Sequence, residues 1–305
     1  MGEWFESGEP WYPAKWGADD ELGTLNTLTA ERVRAASGLV RTGRVYRLGH
    51  LIFPEMPIKE GAHGSFLSVI SNRPYDAREG MGDDSRNRLG ATHCRLELAD
   101  HLGTHLDALN HIAFDNRFYN GVDAFSTITA RGTHKLGIET VPPIVTRGVM
   151  LDIAGAHGQE LLDGGYAITV DDAETFLDQH GIAVGAGDAV LFHTGRSRMW
   201  TDPEARRAYF ESSPGVGYEL AKWLAERDVA VVGADSAATE VIPSELPGAV
   251  LPVHQYLMVK SGIRIIDNLK LDELAADGIY EFLFVCSPLP IKGATASPVA
   301  PLAIA

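Results

Sequence analysis

Hydrophobic periodicity divides the chain into segments with two different repeats. Alternation over residues 92–98, THCRLEL, predicts a strand with one buried face. Short apolar runs bounded by turn residues predict further strands at 43–51, 148–153, 189–193, 229–232, 262–266 and 282–285. Helical spacing predicts helices at 26–39, 169–180, 203–212, 214–227 and 254–261. Thr29 reads as the N-cap of the first, with Glu31 and Arg32 in its first turn. The second carries acids in its first turn and Gly181 just past its end. Residues 64–84 are mostly polar and read as a long loop, within which FLSVI (66–70) packs locally or forms a brief strand. Strands and helices are mixed, but a clean βαβ alternation is missing from the first 150 residues. The expected fold is therefore α+β, with a mixed or antiparallel sheet, in one domain spanning 1–305. Trp4, Trp11 and Trp16, among several Gly and Pro, suggest an ordered N-terminal arm over about 1–25 lying on the body.

Composition narrows the function classes. The 305 residues hold 26 basic and 41 acidic side chains, a net charge of −15, which argues against nucleic acid or an anionic membrane surface as partner. Cys94 and Cys286 lie far apart and outside any CxxC spacing, which excludes a disulfide framework or a thiolate zinc site. Both are expected to be buried free thiols in a reducing compartment. The start, MGEWFESGEPWYPAKW, has no basic-then-apolar signal pattern, and no apolar run reaches 18 residues. A cytoplasmic protein is expected.

The densest chemistry lies in DHLGTHLDALNHI, residues 100–112. On a continuous helix His101 and His105 share a face, but Asp107 lies about 200° around from His105. On a continuous strand all share a face, yet His101 and His105 sit about 13 Å apart. A bent strand resolves the conflict. His105 and Asp107, about 6.8 Å apart at Cα, point the same way. A turn at Leu102-Gly103-Thr104 folds His101 back onto the same ion, and Gly103 is the residue that permits it. Two imidazoles and a carboxylate suit Zn²⁺, Mn²⁺ or Fe²⁺ and leave positions open for water and substrate. The competing interpretation is a polar turn whose histidines bond backbone groups or lie solvated.

HLGTHLDALNH resembles the HxGTHxDxxxH signature of the cyclase-like metal-dependent hydrolases, which include arylformamidases, isatin hydrolases and a trans-dienelactone hydrolase. WGADDELGTLNTLTAERV, RFYNGV, GTHKLGIE, RGVMLDIA, GDAVLFHTG and PLPIKGATASPVAP resemble segments of the family's longer branch, of roughly 300 residues, so the likeness spans nearly the whole chain. It implies a swivelling β/β/α fold, a barrel-like β layer flanked by helices, and a homodimer or homotetramer. It implies hydrolysis of an amide, lactam or lactone bond, with one divalent ion, Mn²⁺ or Zn²⁺, on His101, His105 and Asp107. His111 matches the family's general base and acid, and an unperturbed pKa near 6.5 would suit that task. His254 matches a further family histidine, and Asp267 stands where glutamate is more usual. In the formamidase branch that pair holds a second zinc; here the shorter aspartate, with Asn268 able to orient a water, favours a single ion. An arylformamidase or dienelactone hydrolase activity, or a non-hydrolytic isomerase or dehydratase, is the alternative.

Among other residues, Trp16, Phe66 and His63 are candidate substrate contacts. His193 at a strand end is expected to be a buried, satisfied histidine. Asp235 and Ser236, in GADSAATE, are expected in a turn. Asp100 is expected in a surface turn. No GxSxG, GxGxxG or GxxxxGK[ST] occurs, which leaves serine-hydrolase, dinucleotide and P-loop readings without support.

Overall fold

The computed structural model describes residues 11–59, 66–72, 87 and 91–305. Nine strands form one mixed sheet. In chain order they are β1 (Val45–Arg47), β2 (His105–Asp107), β3 (Ile144–Asp152), β4 (Ala189–His193), β5 (Val231–Ala234), β6 (Arg264–Asp267), β7 (Glu281–Cys286), β8 (Ala296–Pro298) and β9 (Leu302–Ile304). Their spatial order is β1-β9-β7-β3-β4-β5-β6-β2-β8. The four central strands, β3 to β6, run parallel; the flanking strands pair antiparallel. The expected α+β class with a mixed, barrel-like layer is what the sheet forms: a curled half-barrel with helices against it.

Helix α1 (Ala30–Ser37) precedes the sheet, while α2 (Val170–His180) and α3 (Tyr218–Glu226) link successive parallel strands. Between β5 and β6 runs a helix whose first turn, Pro252–His254, is α and whose remainder, Gln255–Lys260, is π-wound. Parallel strands bury both faces, so their central side chains are mostly apolar. Val149, Leu151, Val190, Phe192 and Val232 pack with Phe176, Leu177, Leu220 and Leu224 of the helices. Met150, Leu191, Val231 and Ile266 pack the other way, with Leu106, Phe282 and Phe284.

Local signals placed the helix ends. The Thr29 hydroxyl accepts from Arg32 N, and Thr169 with Asp172 forms a reciprocal capping box. Gly181 closes α2 at φ +64°. Three expectations fail. Residues 203–212 hold only a 3₁₀ turn, Ala205–Ala208, none of whose residues is buried. The 214–227 helix starts late, because Gly215–Val216 is taken by a two-residue strand paired with Ala167–Ile168. The strand His93–Glu97 has no buried face: it pairs with Leu67–Asn72 in a ribbon whose Leu67, Val69, Ile70 and Leu96 are all exposed. Cys94 on that ribbon is consequently exposed, against expectation, while Cys286 is buried.

The arm lies on the body over its described part. Asn120 donates to the carbonyls of Gly17, Ala18 and Asp20 and accepts from Ala14 N, and the Tyr119 hydroxyl donates to Asp20. Trp4 and His63 lie outside the described residues. Among the described residues no helix is long and apolar enough to cross a membrane.

Candidate metal centre

Strand β2 is central to the site. It pairs with β6, placing Asp267 opposite His105, and with β8, placing Ala296 opposite Asp107. The two-residue period of a strand turns His105 and Asp107 to one side. The predicted bend precedes it: residues 102–104 are bent, and Gly103 adopts φ +69°, a conformation costly for any side chain with a Cβ. The Gly103 carbonyl then accepts from both His105 Nδ1, at 2.8 Å, and Asn268 Nδ2, at 3.1 Å. Asn268 also accepts from the Tyr209 hydroxyl, so it braces the turn.

The ligand atoms gather around Asp107. The Nε2 atoms of His101 and His105 each lie 3.5 Å from Asp107 Oδ1, and His254 Nε2 lies 3.9 Å from Oδ2. Asp267 Oδ2 stands 3.7 Å from His105 Nε2 and 3.8 Å from His254 Nε2. Its shorter side chain does not keep it out, because the β6–β2 register delivers it beside His105. Two groupings have ligand atoms all within 4.8 Å of one another, His101–Asp107–His111 and His105–Asp107–Asp267, and both share Asp107.

Three of the four imidazoles are held through Nδ1. Asp100 takes His101 at 3.0 Å, the Gly103 carbonyl takes His105, and Glu240 takes His254. Fixing Nδ1 as the protonated nitrogen leaves Nε2 as a donor atom, the arrangement a metal-ligating histidine needs. Asp100 lies in a partly exposed turn, as expected, but its side chain is held on both oxygens. Its other oxygen accepts from Thr295 N, Thr295 Oγ1 and Ala296 N, which pins it to β8. Glu240, fully buried where Asp100 is only partly so, has no recognisable pattern around it; Asp100 has only its adjacency to His101.

A cation fits these residues. Both oxygens of Asp107 and one of Asp267 are buried without a hydrogen-bond partner, a large cost unless something positive meets them. Burial opposes charge on His254, but hydrogen bonds to Asp267 and Glu240 raise it well above the ordinary value. His111 differs from the other three. Its ring centroid lies 4.0 Å from that of His101, with the two rings tilted by 40°. Burial, reinforced by the neighbouring histidines and opposed by Asp107, pushes it down to about 4 and not to the unperturbed value expected. It is therefore neutral near pH 7.

The remaining candidates separate. Phe66 is half-buried against the Met56, Leu102 and Trp200 cluster, beside the site's turn. Trp16 lines a different cleft, of about 320 Å³, with Trp11, Lys15, Tyr119 and Tyr256; none of the clustered histidines borders it. His193 is buried at the end of β4 with Nδ1 on Asp152 at 2.6 Å, and Asp235 caps Thr194, as a turn residue does.

Residues 46–241, more than half of the chain, match the family described as "Putative cyclase". The chain belongs to the cyclase family. Two members from Arabidopsis thaliana, cyclase-like protein 1 and cyclase-like protein 3, are each 26% identical to it. The first alignment covers 84% of this chain and 83% of the relative, the second 84% and 77%. A crystal structure of a novel cyclase superposes with a TM-score of 0.86 at 31% identity, over 95% of this chain and 96% of that one. Isatin hydrolase A from Ralstonia solanacearum shares the fold, with a TM-score of 0.64 at 23% identity over 90% of this chain and 97% of that one. Members of this family thus share the curled sheet and helices described above.

Proposed function

We propose that this cyclase-family chain is a metal-dependent hydrolase that opens a cyclic amide or a related amide or lactone bond. One observation carries the reading: the buried, unpartnered oxygens of Asp107 face imidazoles whose Nδ1 atoms are already occupied. His101, His105 and Asp107, with His254 and Asp267 beside them, would hold Mn²⁺ or Zn²⁺. A divalent ion bound there supplies Lewis acidity, polarising a carbonyl and acidifying water. The protein's own contribution is the proton path. His111, neutral and beside His101, accepts a proton from the attacking water on an imidazole nitrogen. As the C–N or C–O bond breaks, the same proton passes to the leaving nitrogen or oxygen, and the products are a carboxylate and an amine or alcohol. Phe66, packed near Leu102, supplies apolar surface beside the turn.

Activity against N-formyl anilines, isatin-like lactams and unsaturated lactones, before and after chelation and after Mn²⁺ or Zn²⁺ add-back, tests the reading. Turnover should vanish on chelation and return with metal. His111→Ala should lose about 10²–10⁴-fold, the usual worth of a positioned general base and acid. Full hydrolysis by metal-free protein, or by the His111 variant, would refute the mechanism. In ¹⁸O-labelled water a hydrolase places label in the carboxylate; an isomerase or dehydratase does not.

A further inference from the structure

Glu240 stands six residues beyond the end of β5 and is 1% exposed. Its Oε2 accepts from Val253 N at 3.2 Å, and its Oε1 accepts from His254 N at 2.9 Å and from His254 Nδ1. Its neighbour Thr239, at φ +49°, donates its hydroxyl to the Ile266 carbonyl at 3.1 Å, on the strand that carries Asp267. Two consecutive buried residues therefore tie the start of the 252–260 helix and the end of β6 to one short loop. That loop is the mechanical link between the two residues that the second half of the chain adds to the site.

We propose that Glu240 is the positioning residue for His254: by accepting its Nδ1 proton it turns the Nε2 lone pair toward Asp107 and Asp267 and makes His254 a ligand. This rests on the metal-centre reading above. The role is distinct from that of the Gly103 carbonyl, which does the same for His105, because a buried carboxylate holds a bound imidazole N–H more strongly than a neutral oxygen and makes the other nitrogen a better donor. A nearly isosteric change isolates the carboxylate charge. In Glu240→Gln the single amide oxygen can take the Oε1 place and accept from both His254 N and His254 Nδ1, but as a neutral acceptor, while the NH₂ group is set against the Val253 N–H. The imidazole keeps its Nδ1 proton but is held less firmly, and its Nε2 becomes a weaker metal donor.

The full-length protein, stripped of metal and titrated with Zn²⁺ by calorimetry, tests this, with histidine ¹⁵N spectra as a second readout. Glu240→Gln should weaken Zn²⁺ binding about 10–100-fold, the range for residues that orient metal ligands. The same substitution in a His254→Ala background should cost no further affinity, because the effect passes through that imidazole. In Zn²⁺-saturated wild type His254 should be protonated at Nδ1, a result that does not depend on any variant folding. An equal loss of affinity in both backgrounds, or His254 unprotonated at Nδ1 in the wild type, would overturn the role of Glu240 alone. Failure of the wild type to bind Zn²⁺ or Mn²⁺ at all would overturn the metal-centre reading and this role with it.

Discussion

Two groups of histidine and aspartate, one at the end of β4 and one where β2 meets the end of β6, differ in how their charges are balanced. At the end of β4, His193 sits among three acids: Nδ1 on Asp152 at 2.6 Å, and Nε2 3.8 Å from both Asp235 and Asp272. Burial opposes its charge, but Asp152, Asp272 and Asp235 together raise His193 to about 10, so it is an imidazolium at neutral pH. Around Asp107 the proportion shifts: four imidazoles share Asp107 and Asp267, with Asp100 behind His101 and Glu240 behind His254. The acids beside His193 are also tied to the chain, Asp152 by Gly155 N, Asp235 by Thr194 and Asp272 by Ser197. Each of those acids still has one oxygen hydrogen-bonded, Asp235 Oδ2 and Asp272 Oδ1 being left over, whereas Asp107 has neither oxygen met by a hydrogen bond. The first group closes around its imidazolium; the second leaves one carboxylate, Asp107, with both oxygens open.

Asp107→Asn should break the second group most severely. It removes the one carboxylate shared by both ligand groupings and puts a neutral amide in its place. Turnover should fall below detection and metal content should drop, with thermal unfolding of the metal-free protein nearly unchanged or improved. Full metal occupancy in that variant, measured by mass spectrometry, would remove Asp107 from the centre of the site.

The same comparison explains what was legible in the sequence. His101, His105 and Asp107 could be read because the two-residue strand period and one glycine bend fix their geometry within seven residues. The parallel strands were legible too, since burial on both faces writes short apolar runs such as 148–151, 189–192 and 231–232. Asp100 and Glu240 were not, because a carboxylate's task depends on which nitrogen it meets, and Glu240 reaches His254 from a separate loop. Nor could periodicity tell that His93–Glu97 stands clear of the body; alternation records which side chains share a face, not whether anything covers it. Residues 203–212 look helical by spacing, yet only Tyr209 goes fully inward, too little burial to hold a long helix.

His193→Asn should have the next largest effect, and on stability in place of chemistry. It leaves Asp235, fully buried, without its compensating charge, a loss of about 3–5 kcal/mol for breaking such a pair from one side. Metal content should stay at the wild-type level; its loss would merge the two groups into one site. The pH profile gives the sign. With the folded value raised above the unfolded one, the contribution of His193 is complete below about pH 6.5 and disappears as pH climbs toward 10. Over that window wild-type stability should fall by up to about 1.4 kcal/mol per pH unit relative to the variant. Parallel profiles for the two proteins would show that His193 is not the imidazolium described.

Thr169→Ala should be the smallest change and separates local stability from either group. The Thr169 hydroxyl accepts from Asp172 N at 3.1 Å, while Asp172 accepts from Thr169 N at 2.8 Å, closing the first turn of α2. Removing the hydroxyl orphans one of the helix's first N–H groups and should cost about 1 kcal/mol. Asp172 retains the Tyr166 hydroxyl and His157, so the turn loosens without opening. Because α2 packs through Ala173, Phe176 and Leu177 on the helix-covered face of the sheet, the loss should register in denaturant melts and leave metal affinity and the pH profile as they were. A shift in Zn²⁺ affinity on this substitution would mean that the strand ends move with α2, and that the rigid separation of the two groups is wrong.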